Sequence, residues 1–118
     1  MKSVIFSAIY IVLIFLLSKF VFEPTYLYYE LTWLDIPMHI LGGFGVACLT
    51  WAILSYNKKQ VSFARLIFFY VAVAVVWEVY EYFGEMSAGV EWNGWFDTIK
   101  DIIDGFIGMT VGYYFMKK

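Results

Sequence analysis

Charge is scarce in this chain of 118 residues: only 15% are Asp, Glu, Lys or Arg, against about 25% in soluble domains. Hydrophobic residues make up 63% and aromatic residues 23%. That balance excludes a water-soluble domain and points to a lipid bilayer. A hydrocarbon core roughly 30 Å thick takes about 20 helical residues per crossing. The chain therefore has room for about four crossings with short loops, and for no separate soluble domain. Basic residues number only 8 against 10 acidic ones, a net charge of −2, which argues against a nucleic-acid partner, because such partners ask for a basic stripe. Cys48 is the single cysteine, so no intrachain disulfide forms and the redox compartment is not readable from it. Internal repeats, linkers and low-complexity tracts are missing as well. One helical bundle over residues 1–118 is expected.

Four apolar runs read as transmembrane helices, over about residues 3–22, 34–56, 61–83 and 97–116. The first follows Lys2 and resembles a signal sequence, but residues 18–30 offer no small-x-small cleavage site, so an uncleaved span is expected. Pro37 falls in the first turn of the second run, where its missing N–H is tolerated. Lys2, the cluster Lys58, Lys59 and Arg65, and Lys117 with Lys118 fall on one side after four crossings. Cytoplasmic loops keep an excess of Lys and Arg. The fold class is thus an all-α, four-helix multi-pass bundle of the cell (plasma or inner) membrane, with both termini cytoplasmic. The outer loops carry Glu23, Glu30, Glu85 and Glu91 and no basic residue, within a belt of Tyr26, Tyr28, Tyr29, Trp33, Tyr82, Trp92 and Trp95. Lys19 sits near the outer end of the first span, where its stem can snorkel.

Against this background one feature stands out. Asp35 and His39 open the second helix, Glu78 and Glu81 close the third, and Asp97, Asp101 and Asp104 open the fourth, all at the outer level. At roughly 100° per residue, D-x-x-x-H and D-x-x-x-D spread about 40° and E-x-x-E about 60°, so each set shares one helix face. Ionisable groups at this depth are costly in lipid and should turn into the bundle and converge. With only Lys100 nearby, the carboxylates cannot all stay ionised alone; bound cations, shared protons or a cationic substrate would neutralise them. Plainer roles exist for some. Asp35 and Asp97 suit N-caps, Asp101 suits a pair with Lys100, Asp104 suits a backbone contact from another helix, and His39 suits a hydrogen-bonded core position. Glu78 and Glu81 resist such an account, because acids in a last turn face the negative end of the helix dipole.

The order of D-I-P-M-H-I-L-G-G at 35–43, W-E-V-Y-E-Y at 77–82 and W-F-D-T-I-K-D at 95–101, followed by Asp104 and Gly108, resembles the YjdF-like family of small bacterial membrane proteins. More distantly it resembles the VanZ-like proteins, which are linked to glycopeptide resistance. The matching positions are Asp35, His39, Gly43, Glu78, Glu81, Asp97, Thr98 and Asp101, within about residues 35–112. The resemblance implies a shared polar site and supplies no reaction; this chain is shorter than typical members and lacks their extra spans. Two other likenesses fail. D-x-x-D-G at 101–105 starts like the CDP-alcohol phosphotransferase motif, but Ile107 and Gly108 stand where Ala-Arg is needed. Diphosphate-binding prenyltransferases, which the aspartates also suggest, need many more helices.

The expected chemistry is binding of a divalent metal, magnesium, manganese, calcium or iron, by oxygen ligands with one imidazole. Glu78, Glu81, Asp97, Asp101, Asp104 and His39 are the candidate ligands, with Asp35 orienting His39 as general base. A metal-dependent hydrolase or transferase acting on a lipid-linked or envelope substrate is the first reading; an ion- or proton-coupled carrier, a sensor or a membrane-complex subunit is the alternative. Cys48 lies about two and a half turns past His39, too deep to compete as nucleophile. Gly108 and Gly112 form G-x-x-x-G, which packs helices closely, in this bundle or in a homo-oligomer. The segment 84–95, with glycines between tryptophans, suits a lid or an interfacial anchor.

Overall fold

The computed structural model describes residues 2–22, 34–87 and 95–117. The loop acids Glu23, Glu30 and Glu91 and the aromatics Tyr26, Tyr28, Tyr29, Trp33 and Trp92 lie outside the described residues, as do the side chains of Asp35 and Glu85. Four long α-helices follow one another: α1 (Lys2–Leu17), continued by a π-helical turn (Ser18–Phe22), α2 (Asp35–Tyr56), α3 (Phe63–Ser87) and α4 (Trp95–Lys117). At about 1.5 Å per residue the last three are each long enough to match a bilayer core. α1, α2 and α3 are long and apolar enough to cross a membrane. α4 has the length but interrupts its apolar run with Asp97, Lys100, Asp101 and Asp104.

The helices end where local chemistry stops them. After α2, Lys58 adopts a positive φ of 57°. Its N–H donates to Ser55 O and that of Lys59 to Leu54 O, the paired bonds of a Schellman cap, at the position where glycine is usual. Ser62 then caps α3, accepting the Arg65 N–H at 3.3 Å, while the Arg65 guanidinium donates to Gln60 O. α3 thus starts at Phe63, and it runs on to Ser87, so Gly84, expected in a loop, is helical. The N-cap of α2 is Leu34, with no side-chain cap bond; Asp35 is already the first helical residue. Asp97 likewise stands inside the first turn of α4.

Glycines draw α2 and α4 into the most extensive helix pairing of the fold. A Cβ on Gly43 would overlap the carbonyl of Gly105, and one on Gly108 would overlap the carbonyl of Ile40. Gly112 rests on Phe44 and Ala47. The G-x-x-x-G pair of α4 thus packs inside the bundle, one of the two uses expected for it: Gly108 and Gly112 are both buried against α2. On the other side of α2, Gly45 accommodates Tyr10 and Ile11 of α1, and Tyr10 donates its hydroxyl to Leu41 O at 3.0 Å. α3 packs mainly on α4, where Tyr70 donates to Ile102 O beside Gly105.

The small core consists of Ala47, Leu66, Tyr70 and Met109, flanked by Trp51, Phe63, Ile102 and Tyr113. Large apolar side chains cover the outside instead. On α4, Phe96, Ile99, Ile103, Ile107, Val111 and Tyr114 form an exposed stripe, while Asp101 on the opposite face is buried at 3% exposure. That is the reverse of a water-soluble amphipathic helix and the distribution that suits a hydrocarbon solvent. Charge is also divided along the bundle. Lys58, Lys59, Arg65 and Lys117 gather at the end where α2 stops, α3 starts and α4 stops, and the acids of α3 and α4 occupy the other end.

Candidate functional site

Three helices deliver polar side chains to the acidic end. α2 brings His39 in its second turn, α3 brings Glu78 and Glu81 in its last three turns, and α4 brings Asp97, Lys100, Asp101 and Asp104 in its first three. The close α2–α4 approach at Gly43 and Gly105 lies about one turn beyond His39 and Asp101, so it sets the distance between those two side chains. His39 Nε2 lies 3.4 Å from Asp101 Oδ2, a contact that becomes an ion pair when the imidazole is protonated.

Glu78, Glu81 and Asp101 each place one carboxylate oxygen within 4.8 Å of the other two. Oxygens on opposite sides of a calcium ion are about 4.6 to 5.2 Å apart, given bonds of about 2.3 to 2.6 Å, and those around magnesium about 4.0 to 4.2 Å. One such pair at most can lie on opposite sides of an ion, so the spacing admits a shared divalent cation without selecting between the larger and the smaller. Both glutamates are half-buried and Asp101 is buried, which strengthens the repulsion among ionised forms relative to water. Glu81 Oε1 accepts the indole N–H of Trp77 at 2.8 Å. Trp77 is a residue that counting carboxylates could not find; its signal was the W-x-x-x-E spacing, which puts it one turn before Glu81 on the same face.

Lys100 supplies the local positive charge. Its Nζ lies 3.6 Å from Asp101 Oδ1 and 3.3 Å from Asp104 Oδ2. Asp104 is thus drawn to the lysine, and it is not among the three acids that converge. Asp97, half-buried one turn before Asp101, is not among them either. Asp35 opens α2, and its side chain lies outside the described residues. His39 meets Asp101 from another helix, and the pairing with Asp35 expected from D-x-x-x-H rests on a side chain outside the described residues. Cys48 is buried in α2, among the residues facing the core. Of the segment 84–95, which suits a lid or an interfacial anchor, residues 88–94 lie outside the described residues.

An apolar exterior, three helices of membrane-spanning character and a polar site turned inward call for comparison with membrane families. Residues 3–117 match the family described as "Predicted membrane protein (DUF2238)". The chain belongs to that family. Its match takes in all four helices, and so the DUF2238 assignment covers every residue of the site. Comparison with curated proteins and with solved structures found no match to this chain.

Proposed function

We propose that Glu78, Glu81 and Asp101 bind a divalent cation within a four-span bundle of the cell membrane, and that this DUF2238 protein is a metal-dependent enzyme acting on a lipid or lipid-linked envelope substrate. The observation that carries the reading is the meeting of three carboxylates from two helices within 4.8 Å, in a chain with few charges to spare. A bound cation would activate water and stabilise developing negative charge. The chain's own groups have separate tasks. Glu78, Glu81 and Asp101 would hold the ion; Trp77 fixes the orientation of Glu81 through its N–H; His39, against Asp101, would accept a proton and pass it on. Lys100 holds Asp104 and steadies the far oxygen of Asp101.

The fourth span is supported by the apolar outer stripe and inward acids of α4. The cytoplasmic position of both termini is supported by the basic residues grouped at their end of the bundle. The motif order of the YjdF-like proteins supports a bacterial setting. A second reading, an ion- or proton-coupled carrier or sensor, is favoured by the neighbouring groups His39, Asp101, Lys100 and Asp104, where gain or loss of one charge changes the field at the others.

Thermal melts of purified protein test the cation site. Manganese or calcium should raise the melting temperature, and Glu78→Gln or Glu81→Gln should each weaken that response by about 10 to 100-fold. A wild-type melt indifferent to both EDTA and divalent ions would sink the reading. In reconstituted vesicles an enzyme consumes an added lipid precursor, whereas a carrier moves cations or protons with nothing consumed.

A further inference from the structure

A groove of about 300 Å³ lies between α1 and α3, lined by Phe15, Val73, Val76, Trp77 and Tyr80. Its α3 wall follows the spacing i, i+3, i+4, i+7, which is one face of a helix. Phe15 closes the other side, with its ring 5.9 Å from that of Trp77 and nearly perpendicular. The rings and aliphatic groups of these residues give the groove an almost wholly apolar surface. Lys19 stands four residues after Phe15, and its Nζ lies 5.8 Å from the Trp77 ring centroid and 5.2 Å from that of Tyr80, within cation–π range. The two rings thus hold an ammonium group at the rim of an apolar slot.

We infer that this groove seats one acyl chain of an anionic glycerophospholipid, whose phosphate is held by Lys19 in preference to that of a zwitterionic lipid. The occupant follows from the pairing of an apolar slot with one cation at the level where a membrane-spanning helix ends, since a phospholipid presents an acyl chain and an anionic phosphate in that order. A second copy of the chain fits less well, because a two-fold contact over the groove would bring one Lys19 towards the other. The consequence concerns the acids. Trp77 forms the groove wall with its ring and donates its N–H to Glu81, so a seated lipid touches the residue that orients one carboxylate of the cluster. The inference needs the membrane setting of α1 and α3 but no metal.

The test uses a variant in which Trp77 is the sole tryptophan, the others being Phe, reconstituted in EDTA into phosphatidylcholine vesicles. Brominated phosphatidylglycerol should quench Trp77 with saturation at low mole fraction, and brominated diacylglycerol, which lacks the phosphate, should quench only in proportion to its bulk amount. Lys19→Gln should weaken the phospholipid effect by about fivefold, and Val76→Phe, which fills the slot from an exposed position, should abolish saturation. Equal quenching by the two lipids, or no change in Lys19→Gln, overturns the inference. Quenching that disappears as protein density rises, with dimers formed, also overturns it and assigns the groove to a second copy. Should the tryptophan replacements fail to fold, native mass spectrometry of wild type and Lys19→Gln decides: loss of retained phospholipid in the variant supports the inference, and equal retention overturns it. The quenching is read in EDTA, so lipid selectivity there, beside separate melts of wild type that are indifferent to added divalent ions, would refute the cation site alone.

Discussion

The ammonium of Lys100 lies 3.3 Å from the carboxylate of Asp104, one helical turn further along α4. The same ammonium is 3.6 Å from Asp101, so one lysine compensates Asp104 and also Asp101, the acid that meets Glu78 and Glu81. Among the described residues it is the cation in contact with both Asp101 and Asp104.

Replacing Lys100 with Gln therefore leaves two buried or nearly buried carboxylates facing like charge. Loss of one partner of a fully buried pair costs about 3 to 5 kcal/mol. Lys100 is about one-third exposed, and solvent screening reduces the expectation to about 1 to 2 kcal/mol. The melting temperature in EDTA should fall. Under the proposed function, manganese should rescue Lys100→Gln more than wild type, because the cation then replaces the missing charge. A melt in EDTA that matches wild type would show that Lys100 compensates nothing.

Neighbouring glycines of α2 should respond in opposite ways. Gly43→Ala drives a methyl into the Gly105 carbonyl, a clash with backbone that no side-chain rotation relieves. Overpacking of this kind costs about 1 to 3 kcal/mol or more. At Gly42 the added methyl meets nothing within 4 Å, and Ala there should stabilise by about 0.5 to 1 kcal/mol through the unfolded chain. Melting curves of the two variants in one detergent check the sign.

The Schellman cap at the end of α2 offers a stabilising substitution. Lys58 occupies the left-handed region at a strain cost of roughly 1 to 2 kcal/mol. Glycine removes that strain and returns part of it as backbone entropy. Lys58→Gly should raise stability by about 0.5 to 1 kcal/mol. A fall in the melting temperature would mean that the lysine side chain contributes more than its backbone strain costs.

Orientation has its own measurement. In a Cys48→Ala background, single cysteines at Glu30 and Glu91 should react with an impermeant thiol reagent in intact cells, and a cysteine at Lys58 should not. Reaction at Lys58 alone would invert the proposed topology and put the acidic end in the cytoplasm.

Much of this arrangement is legible in the sequence because a bilayer leaves the backbone few options. Apolar runs of about 20 residues must form helices to satisfy their own hydrogen bonds, and alternate crossings then put Glu78, Glu81, Asp97, Asp101 and Asp104 at one end from counting alone. The 3.6-residue period further implies that each acid set shares a face. Which faces meet is a different kind of fact. It depends on the rotation and separation of neighbouring helices, and these are set by contacts between residues far apart in the chain. Gly43 against Gly105 and Ile40 against Gly108 bring α2 and α4 so close that His39 reaches Asp101, a contact between helices that D-x-x-x-H, within one helix, does not encode. The packing of α3 on α4 selects Asp101 as the acid that joins Glu78 and Glu81. Lys100 draws Asp104 aside, through an i, i+4 pair that the sequence contains but cannot rank against its competitors. Sequence determined the depth of the polar groups, since depth follows from residue count along a fixed rise; only tertiary packing decided their partners, since azimuth and distance belong to pairs of helices and to no single one.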